Sequence, residues 1–296
     1  MADNGGAERA QGAGPWTDLD RAPLDGRAIT RALVNGPRAS WAEVTVVPRT
    51  GSTNADLVAV AATAADRTAV IADVQDAGRG RHSRSFTAPP RSQVTVSALV
   101  RLPGISPDAV GWMPLLTGIT VVDTLRSVCE VDAVLKWPND VLLTGDRAPG
   151  KVAGILVEVA GSTPVLTVVA GVGINVTPTA EELPVPTATS LRAAGAAVLD
   201  RGTIVRAFLR AFGTAVDEWR DSGWDTAGLA QLYRARCDTL GRRVRVTMPG
   251  DEVLVGTAAD VDGHGRIVIA PEDGSAPVAV SAGDVTHLRA VPDAGE

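Results

Sequence analysis

Four apolar segments between residues 134 and 176 constrain the fold more than any other feature of the sequence. They are VLKW, DVLLTG, KVAGILVEVA and PVLTVVAGVGINV, and only a few residues separate each from the next. Parallel neighbours need a crossover of a dozen or more residues, whereas antiparallel neighbours need only a short turn. We therefore predict four closely spaced strands that form an antiparallel part of a sheet.

Helices and strands alternate along the chain before and after these four segments. Ser52 and Thr53 are possible helix caps, β-branched residues indicate strands, and Pro114 suits the first turns of a helix. We predict strands over 43–50, 68–75 and 93–102 and helices over 24–35, 53–65, 107–128, 202–221 and 225–237. This pattern predicts a mixed α/β (α+β) domain.

The sequence pattern changes after Asp238. The segments RRVRVTM, EVLVGTAADVD, GRIVIA and PVAVS are separated by PGD, DGHG and EDGS. Such short apolar runs between turn residues are typical of a small all-β module. We predict three regions: a disordered tail with one short helix over 1–40, a mixed domain over 41–238, and a β module over 239–296.

Composition excludes several classes of protein. The net charge is −6 and no block of basic residues lies outside one short loop, which disfavours nucleic-acid binding. One helix fits before Trp41, whereas a helix-turn-helix reader needs two or more. The chain has no apolar run long enough for a membrane span and no secretion signal at its start. Cys129 and Cys237 lie far apart, so we expect a cytoplasmic protein with buried free thiols.

The 28 basic residues comprise 26 arginines and two lysines, Lys136 and Lys151. Asparagine is also scarce, at five residues. Both lysines and three of the asparagines, Asn54, Asn139 and Asn175, fall in the segments that other features single out. This coincidence marks those segments as candidates for a functional site.

The loop GRGRHSR, residues 78–84, combines two glycines with three arginines. Glycine lets backbone amides approach a ligand closely, and arginine adds positive potential, so the loop suits a phosphate or carboxylate. A solvated surface loop is the alternative, because arginine is abundant in this chain. A dinucleotide fingerprint is excluded, since Ser83 stands at its third glycine and no apolar helix follows.

The segment GDRAPGK, residues 145–151, matches the first seven positions of a phosphate-binding P-loop. The eighth position needs a hydroxyl for Mg²⁺, but Val152 has none, and the residues that follow alternate like a strand instead of a helix. We therefore reject a P-loop NTPase. Lys151 at the head of a strand could still meet a phosphate, or it could be a solvated surface lysine.

Two further motifs adjoin predicted strands. KWPND, residues 136–140, has a charge, an aromatic ring and two short polar side chains, although Pro-Asn-Asp could serve a turn alone. GVGIN, residues 171–175, places two glycines in an apolar strand. This pattern indicates close approach of a ligand or a β-bulge.

Together these motifs resemble those of the biotin protein ligase family. The resemblance rests on Ser52-Thr53-Asn54, on Gln75 with the GRGRHSR loop, and on KWPND, KVAGILVE and GVGIN in this order, and it extends from about Trp41 to the C-terminus. It implies a catalytic domain of the class II aminoacyl-tRNA-synthetase-like type, followed by an SH3-like C-terminal domain.

The resemblance also implies the chemistry. Biotin and ATP, with Mg²⁺, would form biotinyl-5′-adenylate, and a lysine of a biotin carboxyl carrier domain of an acyl-CoA or pyruvate carboxylase would then take the biotin. Such a reaction brings two anions together and needs positive charge and preorganised donors more than a covalent nucleophile. DNA and membranes are not expected partners.

Residue by residue, the family pattern implies three overlapping sets. Lys151 and Arg79 would be catalytic, and Lys136 would be structural. The biotin site would comprise Ser52, Thr53, Asn54, Gln75, Gly78, Arg79, Gly80, Arg81, Lys151, Gly171 and Gly173. The ATP and adenylate site would comprise Arg79, Phe86, Asn139, Lys151, Gly154 and Asn175. Direct metal ligands are not expected, with Asp140 the one candidate.

The chain departs from the family pattern in two places. The arginine loop usually ends in Gly and Trp, whereas here it ends in Ser83, Arg84, Ser85 and Phe86, whose smaller ring can still stack on adenine. The N-terminal DNA-binding domain of bifunctional members is missing, so we expect a monofunctional ligase. The alternatives are a lipoate ligase or octanoyltransferase of the same fold, and a biotin-sensing repressor.

Overall fold

The computed structural model describes residues 21–37, 39–81, 86, 88–247 and 253–281, and the backbone of 287–290. Two sheets organise these residues. The larger has seven strands in the order β1-β2-β3-β7-β6-β5-β4. These strands are β1 (Glu43–Val47), β2 (Thr68–Ala72), β3 (Gln93–Arg101), β4 (Ala133–Lys136), β5 (Asp140–Leu143), β6 (Gly150–Gly161) and β7 (Thr167–Asn175).

The sheet is mixed because β1 and β2 are parallel, whereas every other neighbouring pair is antiparallel. The run β4 to β7 is the predicted set of hairpins, and its antiparallel pairing is confirmed. Strand β3 then inserts beside β7, which joins the hairpin run to the parallel pair.

Helices cover the sheet on both faces. They are α1 (Gly26–Leu33), α2 (Thr53–Val60), α3 (Met113–Cys129), α4 (Leu191–Ala194), α5 (Arg201–Asp221) and α6 (Thr226–Arg234). Successive residues of a strand face opposite sides, so Val96 and Val172 join the main core with α3 and α5. Leu99 and Val169 instead join a small cluster under α2.

Three helices and one strand differ from their predicted extent. The predicted 53–65 helix ends at Val60, and the Arg101 guanidinium donates to the carbonyl oxygens of Ala61 and Ala64 in the turn that follows. The predicted 107–128 helix divides into a 3₁₀ helix, Pro107–Trp112, followed by α3. The predicted strand 68–75 likewise ends at Ala72, and the predicted 225–237 helix ends at Arg234.

The C-terminal residues form a separate antiparallel sheet in the order β11-β10-β9-β8-β12. Its strands are β8 (Arg243–Thr247), β9 (Val253–Val261), β10 (Ile267–Pro271), β11 (Val278–Val280) and β12 (His287–Ala290). The sequence predicted the first four, and β12 is an addition that pairs with β8. We call this sheet the C-terminal module.

Both cysteines are free and buried, as predicted. Among the described residues no helix is long and apolar enough to cross a membrane.

Candidate functional site

The candidate site is a trough on the α2 face of the seven-stranded sheet. Strand register places Ala72, Thr95, Gly173, Gly154 and Asp140 side by side across five strands. Directly opposed residues point to the same face. Two glycines at the middle of this row therefore leave a depression between Thr95 on one side and Asp140 on the other.

An aromatic ring lies over the two glycines of this row. A Cβ at Gly173 would be 2.1 Å from Cε1 of Phe86, and a Cβ at Gly154 would be 3.7 Å from its Cε2. The ring can approach β7 this closely only because Gly173 has no side chain. The structure thus brings Phe86, Gly154 and Gly173 together, as three members of the predicted site.

The start of α2 forms one end of the trough. Ser52 caps the helix, and its side chain accepts a hydrogen bond from the Ala55 amide. The backbone N–H and the hydroxyl of Thr53 both contact Oε1 of Gln75, at 2.8 and 3.0 Å. The Gln75 carbonyl oxygen is therefore committed to α2, which leaves its NH₂ group directed toward the loop that follows.

Asn54 connects α2 to the floor of the trough. Its side-chain amide donates to the Leu156 carbonyl at 3.1 Å and to Glu158 at 2.8 Å, and Ser97 donates to its oxygen at 2.5 Å. A Cβ at Gly171 would lie only 2.2 Å from that oxygen. Gly171 therefore makes room for the Asn54 side chain. Its contribution to the trough is to let Asn54 occupy this position.

The other end of the trough carries an ion pair. Nζ of Lys151 lies 2.6 Å from Oδ1 of Asp140, and the two side chains are 36% and 23% exposed. A Cβ at Gly154 would be 3.5 Å from Nζ, so the ammonium lies over the glycine floor. Lys151 lies at the head of β6, as predicted, and a strand instead of a helix follows it. The P-loop hypothesis is excluded by this geometry.

Asn139 immediately precedes β5, and Asn175 is the last residue of β7. The Asn139 side chain donates to the Ile155 carbonyl at 3.0 Å and thereby ties the β4–β5 turn to β6. Asn175 accepts from Gln93 at 2.7 Å and donates to the Thr189 carbonyl at 2.9 Å. Both amides hold backbone in place here.

The arginine loop begins beside Gln75. Gly78 is buried, and a Cβ there would be 2.7 Å from Nε2 of Gln75 and 2.2 Å from the Phe86 carbonyl oxygen. The Phe86 amide donates to the Gly78 carbonyl at 2.8 Å, which closes the base of the loop. Arg79 is exposed, while Gly80 and Arg81 are half-buried. Residues 82–85 lie outside the described residues.

Three polar residues of the site were missed at the sequence level: Gln93, Thr95 and Ser97 of β3. All three are buried and face the trough. Their spacing of two residues in QVTVSALVR was the available signal, because a strand with two buried faces should otherwise be apolar throughout. Glu158 of β6, the partner of Asn54, was also missed.

The described residues of the site supply cations, carboxylates and neutral polar groups. Within the described ranges no three or more His, Cys, Asp or Glu side chains form a metal-binding group. The thiols lie in the core instead of the trough, and burial raises the pKa of Cys129 to about 11. The trough can therefore bind and orient anionic and polar groups by electrostatic and hydrogen-bonding contacts.

Two family models match this chain, one over the large sheet and one over the C-terminal module. The Biotin/lipoate A/B protein ligase family matches residues 46–175, and the biotin protein ligase C-terminal domain matches residues 239–288. The first match contains the trough residues from Ser52 to Asn175. The second covers most of the C-terminal module.

Curated relatives extend the match over the chain. The Mycobacterium tuberculosis biotin–[acetyl-CoA-carboxylase] ligase is 45% identical over 280 residues, which cover 92% of this chain and 100% of that protein. The bifunctional ligase/repressor BirA of Escherichia coli is 30% identical over 228 residues, which cover 76% of this chain and 68% of BirA.

Solved structures show the same fold. The biotin protein ligase from Aquifex aeolicus in complex with biotin and ATP has a TM-score of 0.68 at 24% identity, and the match covers 84% of this chain and 99% of that one. With this fold, the family matches and the curated relative define an enzyme of the ligase class. The chain belongs to the biotin protein ligase family.

Proposed function

We propose that this protein is an ATP-dependent biotin protein ligase that forms biotinyl-5′-adenylate and then transfers biotin to a lysine of a carrier domain. The observation that carries the proposal is the position of the Lys151 ammonium, which lies over Gly154 and pairs with Asp140 at the end of the trough opposite α2. One cation thus stands where two anionic reactants could meet.

The polar end of the trough suits the ureido head of biotin. Gln75 offers an amide NH₂ that can donate to the ureido oxygen, and Thr53 offers a hydroxyl oxygen that can accept from a ureido N–H group. The Asn54 side chain already has hydrogen bonds to the Leu156 carbonyl, to Glu158 and to Ser97. Its role is therefore to hold α2 on the sheet. Arg79, Gly80 and Arg81 supply the loop that would close over the adenylate.

In the first step a carboxylate oxygen of biotin forms a bond to the α-phosphorus, and the bond from that phosphorus to pyrophosphate breaks. Lys151 would contact both the carboxylate and the α-phosphate and reduce their repulsion. A compact ammonium suits this point contact better than a planar guanidinium. Asn139, Gly154, Asn175 and the ring of Phe86 would flank the nucleotide.

In the second step the neutral amine of the carrier lysine attacks the acyl carbon of the adenylate. The bond from that carbon to the phosphate oxygen breaks, AMP leaves, and the nitrogen loses a proton. Positioning is the main contribution that the protein makes to such a transfer.

Mg²⁺ would neutralise phosphate charge in the first step. Protein sites for this ion commonly use one or two carboxylates together with substrate phosphates. Asp140 fits this pattern, since its carboxylate is partly exposed in the trough. A dedicated protein cage for the ion is not needed.

The decisive assay is biotin-dependent exchange of pyrophosphate into ATP, followed by mass spectrometry of a carrier domain incubated with the protein, ATP and biotin. We expect exchange with biotin and one added biotin per carrier. If lipoate or octanoate supports exchange and biotin does not, the protein is a lipoate or octanoate enzyme of the same family and the proposal fails.

The same proposal places the enzyme in the cytoplasm, where ATP and carboxylases are found, and gives it no role on DNA. The acidic net charge of −6 supports the second part. Biotin-dependent binding of the purified chain to a specific operator would contradict it.

A further inference from the structure

We infer that the turn between β9 and β10, residues 262–265, positions the KWPND turn and thereby the nucleotide half of the site. We call these four residues, Asp-Gly-His-Gly, the DGHG turn. The inference rests on the proposed function, since it concerns the binding of ATP. Trp137 is then a positioning residue, which affects the nucleotide half of the site through Asn139 and Asp140.

The KWPND turn lies in a hairpin at the edge of the large sheet. Strands β4 and β5 have four residues each, and β4 is the last strand of the order. A short hairpin is only marginally stable by its own pairing. Its outer side therefore needs support if Asn139 and Asp140 are to keep fixed places in the trough.

The segment that leads into the C-terminal module supplies part of this support. The Leu135 amide donates to the Arg236 carbonyl, and the Asp238 amide donates to the Leu135 carbonyl, both at 2.8 Å. The Trp137 amide then donates to the hydroxyl of Thr239 at 2.9 Å. The free edge of β4 is thus paired by residues 236–239.

The DGHG turn supplies the rest of the support for the hairpin through Trp137, and it also contacts Trp112. The Trp137 indole donates to the Gly265 carbonyl at 3.1 Å, and the Trp112 indole donates to the Gly263 carbonyl at 2.8 Å. Both tryptophans are almost fully buried, at 1% and 0% exposure. The bond from Trp137 to Gly265 is buried, so water cannot replace it, whereas the bond from Trp112 to Gly263 is partly buried.

The DGHG turn is itself rigid. Asp262 accepts from the backbone amides of His264 and Arg266 and from the Arg266 guanidinium, at 2.9, 3.0 and 2.7 Å. Gly265 has φ of +77°, a conformation that favours glycine. A Cβ at Gly111 would be 2.6 Å from the His264 carbonyl oxygen, so the turn fits closely against the large domain.

Trp137 connects this rigid turn to the site within three residues. Asn139 is bonded to Ile155 through both its side chain and its carbonyl oxygen, and Asp140 holds the Lys151 ammonium. A shift of Trp137 would move Asp140 relative to Lys151. Trp112 contacts the same turn but precedes α3, so its sequence neighbours do not enter the trough.

The pair of tryptophans offers a matched experiment in the full chain. Trp137→Phe and Trp112→Phe each keep a ring and lose one indole N–H bond to the DGHG turn. For Trp137→Phe we expect the KM for ATP in biotin-dependent pyrophosphate exchange to rise about 3- to 10-fold, the range that one buried hydrogen bond allows. The KM for biotin should change less than about 2-fold, because its proposed site lies at the other end of the trough.

The control variant separates positioning from simple loss of stability. Trp112→Phe should lower the melting temperature by a similar amount and leave the KM for ATP within about 2-fold of wild type. Equal KM changes in the two variants, or an unchanged KM for ATP in folded Trp137→Phe, would overturn the inference.

A second variant keeps the test decisive if Trp137→Phe does not fold. Asp262→Ala loosens the turn without touching the hairpin, and it should raise the KM for ATP as Trp137→Phe does. The double variant Trp137→Phe, Asp262→Ala should show no further rise in the KM for ATP, because both changes act on one connection. Additive effects on this KM would contradict the inference. Absence of exchange in the wild-type protein would instead refute the proposed function, so the two failures are distinguishable.

Discussion

Gly171→Ala is the substitution for which the structure makes the sharpest prediction. The new methyl group would lie 2.2 Å from the Asn54 side-chain oxygen, a distance that real Cβ atoms do not tolerate. Asn54 cannot rotate away freely, because three hydrogen bonds hold it to Ser97, Leu156 and Glu158. Either these bonds break or α2 shifts from the sheet.

The magnitude follows from those bonds. Each buried hydrogen bond contributes about 0.5–1.5 kcal/mol, so loss of all three should lower the free energy of unfolding by about 2–4 kcal/mol. For a chain of this size that corresponds to a fall of roughly 5–15 °C in melting temperature. Because Thr53 and Gln75 are attached to the same helix start, biotin affinity should fall as well.

The assay is urea unfolding followed by tryptophan fluorescence, with isothermal titration of biotin. Gly161→Ala is the matched control, since it makes the same change in the neighbouring strand β6 and no atom lies within 4 Å of the added Cβ. The control should remain within about 0.5 kcal/mol of wild type. A Gly171→Ala protein as stable as the control would refute the account of Asn54 as a fixed connection.

Three further predictions concern charge. Lys151→Ala should abolish biotin-dependent pyrophosphate exchange while the circular dichroism and melting temperature stay near wild type, and unchanged biotin transfer would remove its assigned role. Arg79→Ala should release biotinyl-adenylate and label nearby lysines diffusely, and this assignment fails if the variant retains the adenylate as tightly as wild type. Burial alone would raise the pKa of Asp262, but hydrogen bonds from Arg266 and from the His264 amide outweigh it and lower the pKa. A lowered pKa in the folded state contributes stability above the unfolded pKa of about 3.9, which is lost as the pH falls through the folded value. Urea unfolding between pH 5 and 2, taken as a rough range for a carboxyl group, should therefore show a steeper acid loss for wild type than for Asp262→Asn, and parallel curves would contradict this.

Local patterns were sufficient for most strands and for the order of hairpins. The four segments from 134 to 176 are joined by links too short for parallel crossovers, so the length of the links alone predicted antiparallel pairing. Helix ends were less predictable. The predicted 53–65 helix stopped at Val60 because Arg101, from a different strand, takes the carbonyls that would continue it.

The candidate site was predictable in its motifs and not in its contacts. The sequence marked Gly171 and Gly173 alike, as glycines in an apolar strand. The structure separates them, since Gly171 makes room for Asn54 and Gly173 for the ring of Phe86. The roles of the individual residues toward biotin and ATP stay predictions, and the experiments above address them.

By itself the sequence determined the elements, the antiparallel run and the motifs that point to the biotin protein ligase family. These depend on spacing and residue type along short stretches of chain. Only the tertiary structure decided how the motifs meet: Asn54 with Glu158, Lys151 with Asp140, and Trp137 with the DGHG turn 128 residues later. Hydrogen bonds between such distant residues leave no local pattern, because their geometry depends on how the sheet and the C-terminal module pack.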